Sequence, residues 1–251
     1  MDSLITILAT IVAGLVTFWT ARLIHRGRKY HLREIAGIKA LEDAVGRAAE
    51  MGRPILYTPG YGGDIQRPTT IASMNILSVV AEKTAEYNCE LIYPTHDPII
   101  MATAQEVVRE SYSRVGKIDR FNPDNIYYVS SSQFGYAAGV EGEIVRKKPA
   151  SIFLLGTFEA ESLILAESGA AVGAVQIAGT DSTIQLAFFL IACDYTLFGE
   201  ELFAASGYLS GNEATLASVW AQDIMRILCV SFVALGILSA LFFPESSWWK
   251  L

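Results

Sequence analysis

Charged residues are scarce in this chain of 251 residues: Asp, Glu, Lys and Arg make up 18% of it, whereas hydrophobic residues make up 52%. Soluble domains contain about 25% charged residues. The chain is therefore too apolar for an ordinary soluble domain and too polar for a bundle of many membrane helices. Its length and composition predict one domain of roughly 150–200 residues together with a few membrane segments.

An excess of basic residues is also lacking. The chain has 19 Lys and Arg against 26 Asp and Glu, which gives a formal net charge of −7. A protein that binds nucleic acid through its phosphates presents a basic patch or stripe instead. We therefore expect no nucleic acid among the partners of this protein.

The sequence motifs of common catalytic and metal sites are missing. Cys89, Cys193 and Cys229 form no CxxC pair and are odd in number, so neither a disulfide framework nor a cysteine zinc site is indicated. No HExxH, GxSxG or GK[ST] sequence occurs, and the third glycine of a GxGxxG fingerprint would fall at Ile65. We expect no metal site, and the sequence identifies neither catalytic residues nor a cofactor.

Two long apolar runs predict membrane-spanning helices. Leu4–Ile24 carries a single charge, Arg22, and is long enough to cross about 30 Å of hydrocarbon. Basic residues follow this run rather than precede it, which is the reverse of a signal peptide and places the N-terminus outside. Ile227–Phe243 is uncharged and is followed by Trp248 and Trp249, which suit the headgroup region. The alternative for the first run is a core helix.

These runs predict a protein of the cell membrane with two spans, both termini outside and the main domain in the cytoplasm. The predicted segments are a membrane helix (1–24), a basic stub with an amphipathic helix (25–53), a cytoplasmic α/β domain (54–222), a second membrane helix (223–245) and an external tail (246–251). A third apolar run, Ile184–Cys193, is too short to cross a bilayer. It is predicted to be a core helix or an element at the membrane surface, with a membrane-embedded position left open.

Short apolar runs alternate with helical stretches between the two spans. The runs are rich in branched or aromatic residues and are followed by polar or glycine-bearing turns; they are Pro54–Thr58, Glu90–Tyr93, Ile126–Val129, Ser151–Leu155 and Ala174–Ile177. The helices predicted after them are Thr70–Tyr87, Pro98–Val115, Phe134–Arg146, Ala160–Ser168 and Thr183–Phe198. Repeated βαβ units predict an α/β, Rossmann-like fold with a mostly parallel five-stranded sheet. An irregular α+β domain is the alternative.

Small and polar residues follow every predicted strand. In an open parallel sheet, ligands bind beyond the carboxyl ends of the strands, where helix N-termini present free N–H groups. The candidate ligand-binding residues are Thr58, Gly60, Gly62, Gly63, Asp64, Thr95, His96, Ser130, Ser131, Gly156, Thr157, Glu159, Thr180, Asp181 and Ser182. Each residue singly is also what a tight turn or a helix cap requires, so the turn interpretation stays open.

Two features of this set favour particular chemistry. The bare backbone of Gly60, Gly62 and Gly63 allows an anion to approach closely, although a tight turn explains the glycines equally well. His96 with Asp97 suggests an acid–base pair or metal ligands, although Asp97 before Pro98 is equally an ordinary helix cap. Glu159, Glu161 and Asp181 could add carboxylates to the same pocket or simply favour helix N-termini. The first feature predicts a small anionic ligand, and the second is the basis of a weaker hypothesis, an anchored hydrolase or transferase.

The stretch Gly179–Gly211, together with ILYTPGYGGDIQ at Ile55–Gln66, resembles an uncharacterised family of prokaryotic membrane proteins known only as a domain of unknown function. The resemblance implies an anchored domain and carries no catalytic residues. The function expected is a membrane-anchored cytoplasmic domain that binds a small anionic ligand. The alternative is a structural or assembly subunit without catalytic activity. Membrane lipid and either further copies of the chain or other membrane subunits are the expected partners.

Overall fold

The computed structural model describes residues 2–25, 36–211 and 213–242. Its helices are α1 (Asp2–His25), α2 (Ala36–Met51), α3 (Pro68–Glu86), α4 (Pro98–Arg114), α5 (Gln133–Lys147), α6 (Glu161–Ala171), α7 (Thr183–Ala192), α8 (Glu200–Ser210) and α9 (Glu213–Phe242). Its strands are β1 (Ile55–Thr58), β2 (Leu91–Thr95), β3 (Ile126–Tyr128), β4 (Ser151–Leu155), β5 (Val175–Thr180) and β6 (Tyr195–Phe198). The chain divides into two compact units, Leu32–Gly211 and Met1–His31 with Asn212–Leu251.

The larger unit is an α/β fold with a six-stranded sheet in the order β3-β2-β1-β4-β5-β6. All of its strand pairs are parallel, and the central pair places Tyr57 opposite Phe153. Every residue of β1, β2 and β4 is buried. This burial explains why the strands form unbroken apolar runs, because helices cover both faces of a parallel sheet. The predicted α/β class and the parallel sheet are confirmed.

Helices pack on both faces of the sheet. Helices α2, α3, α4 and α8 share one core with the inward side chains of one face, among them the stacked rings of Tyr57, Tyr93 and Phe153. The Tyr57 hydroxyl donates to the Ser73 carbonyl oxygen in this core. Helices α5, α6 and α7 cover the other face, where Leu56 and Ile152 lie. Helix α3 follows β1 on one face of the sheet and α6 follows β4 on the other face. The connections that leave these two neighbouring strands therefore run to opposite faces.

The prediction of five strands was wrong, because a sixth strand lies where the helix Thr183–Phe198 was expected. Helix α7 ends at Ala192, and Tyr195–Phe198 forms β6. Asp194 redirects the chain, since its N–H donates to the Gln176 carbonyl oxygen and its carboxylate accepts from the Gln176 N–H at 2.8 Å. These two bonds dock the chain on β5, and the branched and aromatic residues that follow suit a strand.

The smaller unit consists, in its described part, of α1 packed against α9. The Thr20 hydroxyl donates to the Ala217 carbonyl oxygen at 3.1 Å, and His25 Nδ1 lies 3.6 Å from a Glu213 carboxylate oxygen. The Thr20 side chain is fully buried at this helix–helix contact.

Within the described residues, one stretch is long and apolar enough to cross a membrane by length and composition, Leu216–Ala234 in α9. It begins before the predicted run Ile227–Phe243, and the predicted boundary at residue 223 falls inside α9. The first predicted span lies in α1, whose apolar part, Thr10–His25, is shorter. The two spans predicted are therefore reduced to one candidate here. Residues 26–35 of the predicted segment 25–53, the end of the predicted span 223–245 and the whole predicted tail 246–251 lie outside the described residues.

Candidate functional site

The loops that follow β1 and β4 meet at the carboxyl edge of the sheet. The Gly62 N–H donates to the Thr157 carbonyl oxygen, and the Thr157 N–H donates to the Pro59 carbonyl oxygen, both at 3.0 Å. These bonds join the two loops at the point where the helices diverge to opposite faces. Ligands of open α/β sheets bind in the crevice at such a point.

Two glycines allow this close approach of the loops. Gly60 has φ +79°, and a Cβ at this position would lie 2.3 Å from the Thr157 carbonyl oxygen. Gly156 has φ +153°, and its Cβ would lie 2.2 Å from the Pro59 carbonyl oxygen. Neither position accepts a side chain without moving backbone, so contact between the loops accounts for Gly60 and Gly156.

Gly63 faces two buried hydroxyl groups. A Cβ on Gly63 would lie 2.6 Å from Thr70 Oγ1 and 3.3 Å from Thr157 Oγ1. Thr70 is fully buried and Thr157 is 5% exposed, and neither hydroxyl has a hydrogen-bond partner among the described residues. Buried polar atoms in folded proteins are nearly always paired, so this pair of hydroxyls requires an explanation.

The same loop leads into the N-terminus of α3. Pro68 occupies the first turn, and Arg67 at the N-cap provides no side-chain cap. The Asp64 carboxylate instead accepts from the N–H groups of Gln66 and Arg67 at 2.9 and 3.0 Å, which closes the turn before the helix. Pro68 has no N–H and the Ile71 N–H donates to the Arg67 carbonyl oxygen at 3.1 Å, so the N–H groups of Thr69 and Thr70 are the ones in this turn without a carbonyl partner within the helix.

The loop after β5 reaches this helix through a side chain. The Thr69 hydroxyl in the first turn of α3 donates to the Asp181 carboxylate at 2.8 Å. Asp181 is exposed, whereas Thr69 is fully buried. Three connections, after β1, β4 and β5, are thus linked by hydrogen bonds at one edge.

Glu161 is a buried carboxylate that organises the neighbouring part of the edge. Its exposure is 1%, and Oε1 accepts from the N–H groups of Tyr61 at 2.9 Å and Glu159 at 3.1 Å. Its Oε2 accepts from the Gln133 side-chain amide at 3.0 Å, and the same amide donates to Glu159 at 3.1 Å. The predicted ligand-binding set contains Glu159 but neither Glu161 nor Gln133, and Glu161 was predicted only as a carboxylate of the acid–base hypothesis. A carboxylate in the first turn of a helix is visible in the sequence, but its burial is not.

His96 lies half-buried between aromatic rings. Its ring centroid is 4.8 Å from that of Tyr61 and 5.8 Å from that of Tyr136. Its Nδ1 lies 3.0 Å from the Gly60 carbonyl oxygen. Because a carbonyl only accepts, Nδ1 carries the proton in this bond, and Nε2 of the neutral ring keeps its lone pair.

Burial lowers the pKa of His96, while the carbonyl groups of Gly60 and Gly63 and the carboxylates of Asp97 and Glu161 oppose this shift. The imidazole is therefore biased toward the neutral form with a free lone pair. Burial also raises the pKa of the Tyr136 phenol, whose hydroxyl hydrogen-bonds Thr58 Oγ1. Tyr61 connects this aromatic group to the loop after β3, since its hydroxyl donates to the Ser131 carbonyl oxygen at 2.8 Å.

The structure brings part of the predicted set together and leaves part in local turns. The residues joined across loops are Thr58, Gly60, Gly62, Gly63, His96, Ser131, Gly156, Thr157, Glu159 and Asp181. The side-chain hydrogen bonds of the remaining residues lie within their own turns; these residues are Asp64, Thr95, Ser130, Thr180 and Ser182. The backbone carbonyls of Thr95 and Thr180 also accept from the N–H groups of Val129 and Gly199 on other connections. In the part of the chain that the structure describes, no three His, Cys, Asp or Glu side chains are grouped so that they could hold a metal ion.

Comparison with known proteins identifies a family. A family model described as Domain of unknown function (DUF6754) matches residues 1–248, nearly the whole chain. This match confirms the predicted resemblance to a family known only as a domain of unknown function. No curated protein and no solved structure matches the chain.

Proposed function

The chain belongs to the family of the domain of unknown function DUF6754, and from this premise we propose that it is a membrane-anchored module whose α/β unit binds a small anionic ligand. The proposed site is the edge between β1 and β4. The strand order 3-2-1-4-5-6 is that of dinucleotide-binding Rossmann folds, in which the ligand occupies the crevice between strands 1 and 4. We therefore treat the unit as Rossmann-like.

The unpaired hydroxyls of Thr70 and Thr157 carry this proposal. An unsatisfied buried polar group costs about 1–3 kcal/mol, so two of them beside one glycine favour a missing partner. The N-terminus of α3 adds N–H donors and the positive end of a helix dipole, both of which favour an anion. A phosphate or carboxylate oxygen accepts from hydroxyl and N–H groups alike, which makes an oxyanion the best match to these donors.

The carboxylates at this edge already have donors of their own. Glu161 accepts three hydrogen bonds, Glu159 accepts from Gln133, and Asp181 accepts from Thr69. Their charge is thus partly offset before any ligand arrives. Because Gly63 covers the two hydroxyls, binding requires the loop Pro59–Arg67 to move away from Thr157, which breaks the two bonds between the loops.

Ligand binding is tested with the full chain in detergent. The probes are inorganic phosphate, mononucleotides and dinucleotides, and the measurement is the shift in unfolding temperature. We expect a phosphate-bearing probe to raise the unfolding temperature of the wild type and to have no such effect on Thr157→Val or Thr70→Val. The matched control is Thr84→Val on the same helix, α3. It also removes a buried hydroxyl, but this hydroxyl already has a partner, since it donates to the Val80 carbonyl oxygen. A screen in which every probe leaves the wild type unchanged would refute the proposal.

Membrane anchoring is the second part of the proposal. It rests on the apolar stretch Leu216–Ala234 and on the apolar part of α1. We propose in addition that both helices span the membrane and that both termini lie outside. Epitope tags at the two termini should be removed by protease added to intact cells, whereas a tag in the exposed turn at Gly116 should be protected. Protection of either terminal tag would contradict the two-span topology.

The alternative function, a structural or assembly subunit without catalytic activity, is favoured by one observation. The exposed side of α7 is apolar, as a surface that packs against another protein would be. Chemical crosslinking in mild detergent distinguishes the two functions, because a monomer that binds phosphate-bearing probes supports the first alone.

A further inference from the structure

The His96 ring lies against the loop that covers the two unpaired hydroxyls. Its Nδ1 is 3.0 Å from the Gly60 carbonyl oxygen, and the Gly63 carbonyl is near enough to raise the pKa of His96 by hydrogen bonding. Gly63 also lies against Thr70 and Thr157, since an added Cβ would be 2.6 Å from one hydroxyl oxygen and 3.3 Å from the other. A ligand that displaces Gly63 would therefore meet the imidazole as well as the hydroxyls.

Negative charge dominates this edge of the sheet. The connections after β1 to β5, together with the first residue of α6, contain a single residue of fixed positive charge, Arg67, against the carboxylates of Asp64, Asp97, Glu159, Glu161 and Asp181. An oxyanion adds more negative charge, which these carboxylates oppose. His96 is the other basic residue of the connections, and it is uncharged while only Nδ1 carries a proton. A proton on the second nitrogen would supply the positive charge that the edge lacks.

We propose that an oxyanion enters this site together with a proton and that His96 carries this proton. The proposal rests on the anion site proposed above and adds a third binding group to it. In the free protein, the lone pair on Nε2 of the neutral ring can only accept a hydrogen bond. A proton taken from solvent turns Nε2 into an N–H donor, and an imidazolium forms a charge-assisted hydrogen bond with a phosphate oxygen.

The groups that face His96 determine the direction of this coupling. In the free protein, burial lowers its pKa against the carbonyls of Gly60 and Gly63 and the carboxylates of Asp97 and Glu161. The rings of Tyr61 and Tyr136 face it from the loop after β1 and from α5, and neither carries a permanent charge. A bound anion adds an opposite charge, which raises the pKa of His96. The affinity should therefore increase as the pH falls from the raised value of the complex to the lowered value of the free protein.

The test is the binding of inorganic phosphate to the full chain in detergent, measured by isothermal titration calorimetry. Titrations in buffers with different heats of ionisation give the number of protons taken up with each phosphate. Because phosphate itself titrates in this range, the wild type is compared with His96→Asn. At about pH 7 the wild type should take up more protons than the variant, and between about pH 8 and pH 6 its affinity should rise at least about fivefold more. The matched control, His25→Asn, removes an exposed histidine of α1 and should behave as the wild type.

A second measurement needs the wild type alone. Without ligand, the free energy of unfolding should fall below about pH 6.5, because the folded chain binds the proton of His96 more weakly than the unfolded chain does. Saturating phosphate should remove this fall, because the complex retains the protonated ring.

Two outcomes would overturn the proposal. Equal proton uptake and equal pH dependence in the wild type and His96→Asn would do so while leaving the anion site in place. Absence of any phosphate binding to the wild type would also overturn it, and the proposed function would then depend on the nucleotide probes alone.

Discussion

Replacing Glu161 by alanine tests whether this buried carboxylate holds the carboxyl edge of the sheet together. Three donors converge on it: the N–H groups of Tyr61 and Glu159 and the side-chain amide of Gln133. They belong to the connection after β1, the connection after β4 and the start of α5. The substitution therefore removes the carboxylate that accepts from three donors, and these donors lie on three separate segments of the chain.

The expected loss of stability follows from these three bonds. A hydrogen bond to a charged group contributes about 1.5–3 kcal/mol, and a buried donor that is left without its acceptor costs about 1–3 kcal/mol. We expect Glu161→Ala to lower the free energy of unfolding by about 3–5 kcal/mol, a large share of the roughly 5–15 kcal/mol of a typical domain. Glu161→Gln keeps the shape and one acceptor oxygen, so a loss of about 1–2 kcal/mol is expected.

The assay is urea unfolding of the full chain in detergent, followed by circular dichroism. Glu167→Ala is the matched control, because Glu167 lies on the same helix, α6, and is exposed; such surface changes stay within about 0.5 kcal/mol. If Glu161→Ala and Glu167→Ala unfold at the same urea concentration, the carboxylate does not hold the loops and the reasoning fails.

Two further predictions concern the same edge. Burial lowers the pKa of His96 in the folded chain, so the unfolded chain binds more protons near pH 6.5. The free energy of unfolding should therefore fall as the pH drops through about that value. His96→Asn retains a donor for the Gly60 carbonyl and should weaken this pH dependence, measured by unfolding between about pH 7.5 and 5.5. Gly60→Ala should lower the free energy of unfolding by more than about 2 kcal/mol, because its Cβ meets the Thr157 carbonyl oxygen. Gly142→Ala, in open space on α5, should raise it by roughly 0.5–1 kcal/mol. Equal effects of the two substitutions in thermal unfolding would contradict the close approach of the loops.

The periodicity of the sequence predicted most of the sheet. Strands β1, β2 and β4 are buried on both faces, so their residues form short unbroken apolar runs that stand out between polar turns. Strand β6 was missed because α7 is itself apolar and is separated from the apolar residues Tyr195–Phe198 by a single charged residue, Asp194, which a continuous helix would also tolerate. What ends the helix is the pairing of Asp194 with Gln176 on β5, a tertiary contact that the local pattern does not contain.

The candidate site was predicted by position rather than by contact. The fold class places the turns after the strands at one edge, and this was enough to select Gly60, Gly63 and Thr157. Gln133 was not selected, and Glu161 was named only as a carboxylate for acid–base chemistry, because their structural importance comes from burial and from bonds to distant loops. The hydroxyl of Thr70 was missed for the same reason, since a threonine in the first turn of a helix is ordinary until its surroundings are known.

The pairing of β1 with β4 bears on how the protein is made. During synthesis, β1, β2 and β3 leave the ribosome well before Ser151, the residue that pairs with Ile55. Until β4 and α6 arrive, the inner edge of β1 and the apolar residues Leu56 and Tyr57 lack their final cover. Nascent chains that expose such surfaces aggregate readily, so chaperone demand should peak when translation has passed β3 and end when β4 docks.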